Sequence, residues 1–134
     1  MKSTLTKIAL ILLLFSSVKC TDIEVTPRDY PRVRTTPVTE ITSNGVKLNA
    51  VFTEKGNHQL LAYGFVYGEG ITPTLANDKQ VIMSEELKGD TYAAIIDHSL
   101  KKGATYYVRA FAKTEKYTIY GENMTFESLG SKVP

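Results

Sequence analysis

The chain is predicted to be all-β, a seven-stranded antiparallel β-sandwich. Three observations predict it. From Val38 onward the apolar residues recur every second position, turn signals separate the runs, and no stretch keeps a 3.6-residue period. At 134 residues there is room for one ordinary domain and not for two.

The N-terminus stands apart from that domain. It opens "MKSTLTK", continues through the apolar run "IALILLLF" at residues 8–15 and exits through Ser16 and Ser17. A positive start, a short apolar stretch and small residues form a secretory signal peptide, assigned to residues 1–19. The run is far shorter than the roughly 20 residues a membrane-spanning helix needs. Cys20, the single cysteine, cannot form an internal disulfide. Residues 20–37 follow as the cysteine and an extended tether. "TDIEVTPRDYPRVRTTP" holds three of the five prolines, and proline disfavours both helix and central strand.

The strands come next. "NGVKLNAVFT" alternates Val46, Leu48, Ala50 and Phe52 against Lys47, Asn49, Val51 and Thr53, after an Asn44-Gly45 turn. After the loop "EKGNH", "LLAYGFVYG" puts Tyr63, Phe65 and Tyr67 on one face and Ala62, Gly64 and Val66 on the other. "KQVIM" is a short strand beyond the Pro73 loop. "TYAAIID", "ATYYVRAFAKT" and "IYGENMTFES" complete the set. The sandwich is assigned to residues 38–128, and residues 129–134 are a C-terminal tail.

Charge excludes one class of partner. The formal balance of +2 depends on Lys2, Lys7 and Lys19. Without them 13 basic residues face 14 acidic ones, and residues 38–128 hold 9 basic against 11 acidic. Phosphate binding calls for a basic excess or stripe, so nucleic acid is not an expected partner.

No catalytic constellation emerges. His58 lies in a loop, and His98 sits beside Asp97 at a strand end without a third group to complete a site. "YGEG" lacks the helix start of a phosphate cradle. Glu85 and Glu86 are adjacent, so on a strand they point oppositely. No spacing suits a metal ion. The expectation is a non-enzymatic protein with no catalytic residue, metal or cofactor.

Two resemblances refine this. "SVKC" resembles the lipobox of bacterial lipoproteins, with Lys19 a departure from the small residue usual before the cysteine. It implies an acylated Cys20 and a lipid hold on the membrane surface. In "LKKGATYYVRA", Leu100, Gly103 and Tyr106 carry the spacing of the tyrosine corner of fibronectin type III domains. "YGFVYG" resembles the third strand of that family, and "GATYYVRAFAKT…IYGENMTFES" resembles a branch found in lipoproteins of Bacteroidetes-type bacteria. The likeness spans about residues 38–128. It implies an immunoglobulin-like, fibronectin type III-like sandwich in an exported envelope lipoprotein, located at the outer membrane, in which the Tyr106 hydroxyl bonds back to the backbone of the corner. Phe52 stands where that family has tryptophan, Lys102 where it often has proline, and no Arg-Gly-Asp occupies the loop "EKYT".

If Tyr106 faces the core, Tyr107, Arg109 and Phe111 face the other way. That row is a candidate binding face, because aromatic residues and arginine are enriched at interfaces and an aromatic platform suits a sugar ring. The plainer reading is that cross-strand aromatic pairs stabilise the sheet, or that the loop or tether folds over that face. Tyr117, at a loop tip, is a second candidate. The function expected is a membrane-anchored, non-catalytic binding or adhesion module for a protein or carbohydrate ligand. The alternative is a structural spacer or accessory subunit of an envelope complex.

Overall fold

The computed structural model describes residues 28–134. The signal segment, Cys20 and the first part of the tether lie outside the described residues. Eight strands form two antiparallel layers: β1 (Arg32–Thr42), β2 (Gly45–Glu54), β3 (Leu60–Gly68), β4 (Lys79–Ile82), β5 (Thr91–Ile96), β6 (Thr105–Thr114), β7 (Thr118–Tyr120) and β8 (Met124–Glu127). One sheet has the order β1-β2-β5. The other runs β4-β3-β6, and β7 and β8 share the far edge of β6. The sandwich is all-β as expected, with the last strand divided in two.

The period-two residues fill the space between the layers. Val46, Leu48, Ala50 and Phe52 from β2 meet Tyr63, Phe65 and Tyr67 from β3 and Tyr106, Val108 and Ala110 from β6. Buried aromatic rings carry most of the apolar area that drives such a core. Tyr92 sits among Phe52, Tyr63 and Phe65, with ring centroids 4.9–5.7 Å away. Its hydroxyl donates to the Gly64 carbonyl at 2.8 Å, so a polar tip is satisfied inside the core. Burial, and secondarily Tyr63, pushes that phenol far above its ordinary pKa.

The sandwich begins earlier than the composition suggests. Residues 32–37, read from sequence as tether, are the first half of β1, and Val33 and Thr35 are buried. Proline is tolerated there because β1 is an edge strand. Its pairing with β2 shifts register between Thr36 and Thr39, with Pro37 inside the irregularity. Asn49 patches the gap, its side-chain amide donating to the Pro37 carbonyl at 3.1 Å and Thr39 Oγ1 at 2.9 Å.

The break between β7 and β8 has a similar repair. β6 pairs with β8 up to Val108 and with β7 from Phe111 onward. At the junction the Ala110 carbonyl accepts the Gly121 N–H at 2.8 Å. The Ala110 N–H goes to Thr35 Oγ1 at 2.9 Å, and the Thr35 N–H goes to Glu122 Oε2 at 3.2 Å. A stretch that looked like linker thus closes the sandwich and satisfies a fully buried amide.

The tail is also tied down. The Val133 N–H donates to the Asp97 carbonyl at 3.2 Å and the Val133 carbonyl accepts the Ser99 N–H at 2.9 Å. Ser131 Oγ accepts the Leu100 N–H at 3.1 Å.

Candidate functional site

The row Tyr107, Arg109, Phe111 does point away from the interlayer core, but it is not an open platform. Phe111 is 1% exposed and belongs to no part of the interlayer cluster. The cover is the loop between β3 and β4. Its Leu75 N–H donates to the Tyr120 hydroxyl at 3.0 Å, and its Ile71 carbonyl accepts from Asn123 Nδ2 at 2.8 Å. Because β6 lies between β3 and β7 in the sheet, a loop leaving β3 reaches Tyr120 only by crossing β6. Pro73, within it, is fully buried. Asp78 stiffens the loop, accepting the Thr74 N–H at 2.9 Å.

Arg109 is committed to the same layer. Its Nε donates to the Gly121 carbonyl at 3.0 Å, and its guanidinium lies 4.5 Å from the Tyr120 ring centroid. Tyr107 is half-buried. This geometry fits the plainer reading of the row, a face covered by a loop: alternation tells which side of a strand a residue takes, and here that side is a second, smaller packed layer.

The corner residues lie together at the start of β6. The Tyr106 hydroxyl accepts the Lys101 N–H at 2.9 Å, and its ring stacks on Phe126 at 5.4 Å and 17°. Leu100 is buried. Gly103 holds φ at 83°, a left-handed conformation that suits glycine, and its N–H donates to the Ser128 carbonyl at 2.7 Å. This group is structural in geometry.

Tyr117 leads to the end of the sandwich that gathers the most side-chain chemistry. Thr114 builds its turn: Oγ1 accepts the Tyr117 N–H at 2.9 Å and the Thr114 N–H donates to the Tyr117 carbonyl at 2.8 Å. The Tyr117 ring then meets Tyr30 edge-on at 5.7 Å and His58 edge-on at 5.6 Å. His58 Nε2 is 3.3 Å from Asp29 Oδ2. The Asn57 N–H donates to the Asp29 carbonyl at 3.1 Å. The β2–β3 loop presses so closely here that a Cβ on Gly56, at φ 72°, would sit 2.7 Å from the Tyr30 backbone. The hydrogen bond from His58, outweighing slight desolvation and helped by Asn57, holds the Asp29 carboxyl below its ordinary pKa.

Beside this cluster lies a groove of about 600 Å³, with Phe52, Leu60, Tyr63 and Met83 in its wall and Lys55, His58, Glu85 and Glu86 among its polar lining. The Tyr63 hydroxyl donates to the Glu85 carbonyl at 2.6 Å. Burial, then the charges of Glu85 and Glu86, raises the Tyr63 pKa. Sequence alone does not single out Tyr30, which falls in the tether segment, or His58, which falls in a loop; no local pattern announces that residues 29–30, the 56–58 loop and Tyr117 converge. His98 remains an exposed neighbour of Asp97 at 3.2 Å. Among the described residues no three His, Cys, Asp or Glu side chains gather to hold a metal ion.

Two solved structures share this architecture. A shorter form of the sensor domain of the anti-sigma factor RsgI4 from Pseudobacteroides cellulosolvens matches with a TM-score of 0.57 over 79% of this chain and 98% of that one, at 20% identity. The solution structure of that sensor domain matches with a TM-score of 0.58 over 74% of this chain and 75% of that one, at 19% identity. The likeness is one of fold. No family model matches the chain, and no curated protein matches it by sequence.

Proposed function

We propose that the chain is an exported, membrane-anchored lipoprotein whose single fibronectin type III-like sandwich is a non-catalytic recognition module, with a protein or carbohydrate ligand engaged at the Tyr117 end. The carrying observation is the convergence there of Tyr30, His58 and Tyr117 beside a groove. Loops on a rigid sandwich are the usual carriers of recognition, and aromatic residues anchor contacts with little rotamer freedom to lose.

Several features support parts of this reading. The sensor domains that share the fold favour an input role over turnover. The hydroxyl bond of Tyr106 and the β1-β2-β5 order support a fibronectin type III-like class. The anchor rests on the sequence around Cys20, and the bacterial envelope, at the outer membrane, is the location it implies. A spacer or accessory-subunit role is favoured by one feature: both chain ends of the sandwich are clamped, which makes it a stiff unit.

Retention of the full chain on immobilised polysaccharides and on envelope proteins tests the module. Tyr117→Ala should cut retention roughly tenfold or more, and Tyr107→Ala should leave it unchanged. Retention that survives Tyr117→Ala refutes the assignment to this end. Mass analysis of the N-terminal peptide tests the anchor: unmodified Cys20 in the membrane fraction rejects it.

A further inference from the structure

β5 is the sheet edge without defences. One bond fixes its backbone direction: the Phe52 N–H donates to the Asp90 carbonyl at 2.7 Å, continuing the register that runs from Val46↔Ile96 to Val51↔Thr91. Antiparallel ladders alternate bonded and non-bonded pairs, so Tyr92, Ala94 and Ile96 turn their N–H and C=O groups toward β2. Thr91, Ala93 and Ile95 turn theirs outward, where no described strand lies.

The other edges are blunted in ways that discourage strand addition. β1 carries Pro37, Arg32, Arg34, three register shifts and a positive φ at Glu40. β4 has four residues and begins on a lysine, and β7 and β8 have three and four. β5 reads "TYAAII" with no charge, proline or register shift, and Ile95 on its outer face is 67% exposed.

The open stretch is also bounded. Val133 already occupies the edge at Asp97 and Ser99, so a guest strand must stop near Ile96. That leaves space for a strand about the length of β5 itself. We propose that the guest is β5 of a second copy of this chain, added antiparallel with Ala93 opposite Ala93 on a two-fold axis.

This register sets Thr91 opposite Ile95, matches outward N–H and C=O groups with their counterparts and keeps both outer faces on the same side. Sliding two residues further would set Thr91 against Asp97, whose carbonyl Val133 holds. Charge does not oppose it. At the end of β5 that the partner's Asp90 approaches, Lys132 lies near Ile95 and Asp97, Glu40 is paired with Lys47 at 4.0 Å, and Asp97 is engaged by His98 at 3.2 Å. Among the described residues the Asp90 carboxylate pairs only with the exposed Lys55, at 3.7 Å. The contact is isologous and closes on itself, joining two three-stranded sheets into one and consuming both open edges.

Sedimentation velocity of the full chain in density-matched detergent tests the proposal, with reductant present so that Cys20 cannot link copies. Over about 1–100 µM, a range suited to a small interface, the mass should rise from one copy to two. Ala93→Pro removes an outward N–H without touching the β2 ladder, a substitution edge strands tolerate. Ile95→Lys adds charge to the same edge and decides the matter if the proline variant fails to fold. Each change enters the dimer twice and should weaken association roughly tenfold or more. A wild-type chain of one-copy mass throughout overturns the proposal, as does a dimer indifferent to both changes.

Discussion

Thr35 offers the sharpest test of where the domain begins. Its hydroxyl is the acceptor for the Ala110 N–H at 2.9 Å, at the junction where β6 has left β8 and not yet reached β7. Both residues are buried, so water does not replace a lost partner. Thr35→Val keeps the branched shape and replaces the hydroxyl with a methyl group that cannot accept the bond. A buried donor left without a partner costs about 1–3 kcal/mol. For a domain of this size that lowers Tm by about 5–15 °C. Differential scanning calorimetry on the full chain measures the shift, and amide exchange at Ala110 locates it. A variant that melts within about 1 °C of the parent would mean that residues 32–37 contribute little to the sandwich, and the reassignment from tether to strand would lose its energetic basis.

Phe111→Ala distinguishes a packed layer from an open platform. A fully buried phenylalanine should cost about 3–5 kcal/mol in chemical denaturation, whereas an exposed platform residue would change stability by a few tenths. The pair at His58 and Asp29 sets a pH dependence. The folded Asp29 pKa lies below the unfolded one, so the bond's contribution is present above the ordinary carboxylate range and fades as pH falls through the lowered value. By NMR titration, His58→Ala should move the Asp29 midpoint upward; an unmoved midpoint would remove His58 as its cause.

Much of the fold can be read from residue order alone. In β2, β3 and β6 the residues of one parity point inward, and these are the ones that fill the core. Leu100, Gly103 and Tyr106 sit close enough in sequence that their spacing fixes a local geometry. What alternation cannot supply is the neighbour on the far side. Phe111 and Val66 face outward by parity yet are buried, because the loop with Ile71, Pro73 and Leu75 folds across them. β1 was obscured by the opposite effect: Pro37 argues against a strand, but an edge strand with a register shift accommodates it. The meeting of Tyr30, His58 and Tyr117 joins segments separated by dozens of residues, and only the tertiary fold brings them together.

The clamp at residues 28–31 lies at the end of the sandwich where β1 begins, and the bridge at Val133 lies at the other. A load entering through the N-terminal segment and resisted at the far end would therefore pull β1 along its own axis. Its ladder with β2 would be strained in shear, many bonds sharing the force at once, instead of peeling one pair at a time. Held that way, the sandwich would yield late under tension, a mechanical property its modest size alone would not suggest.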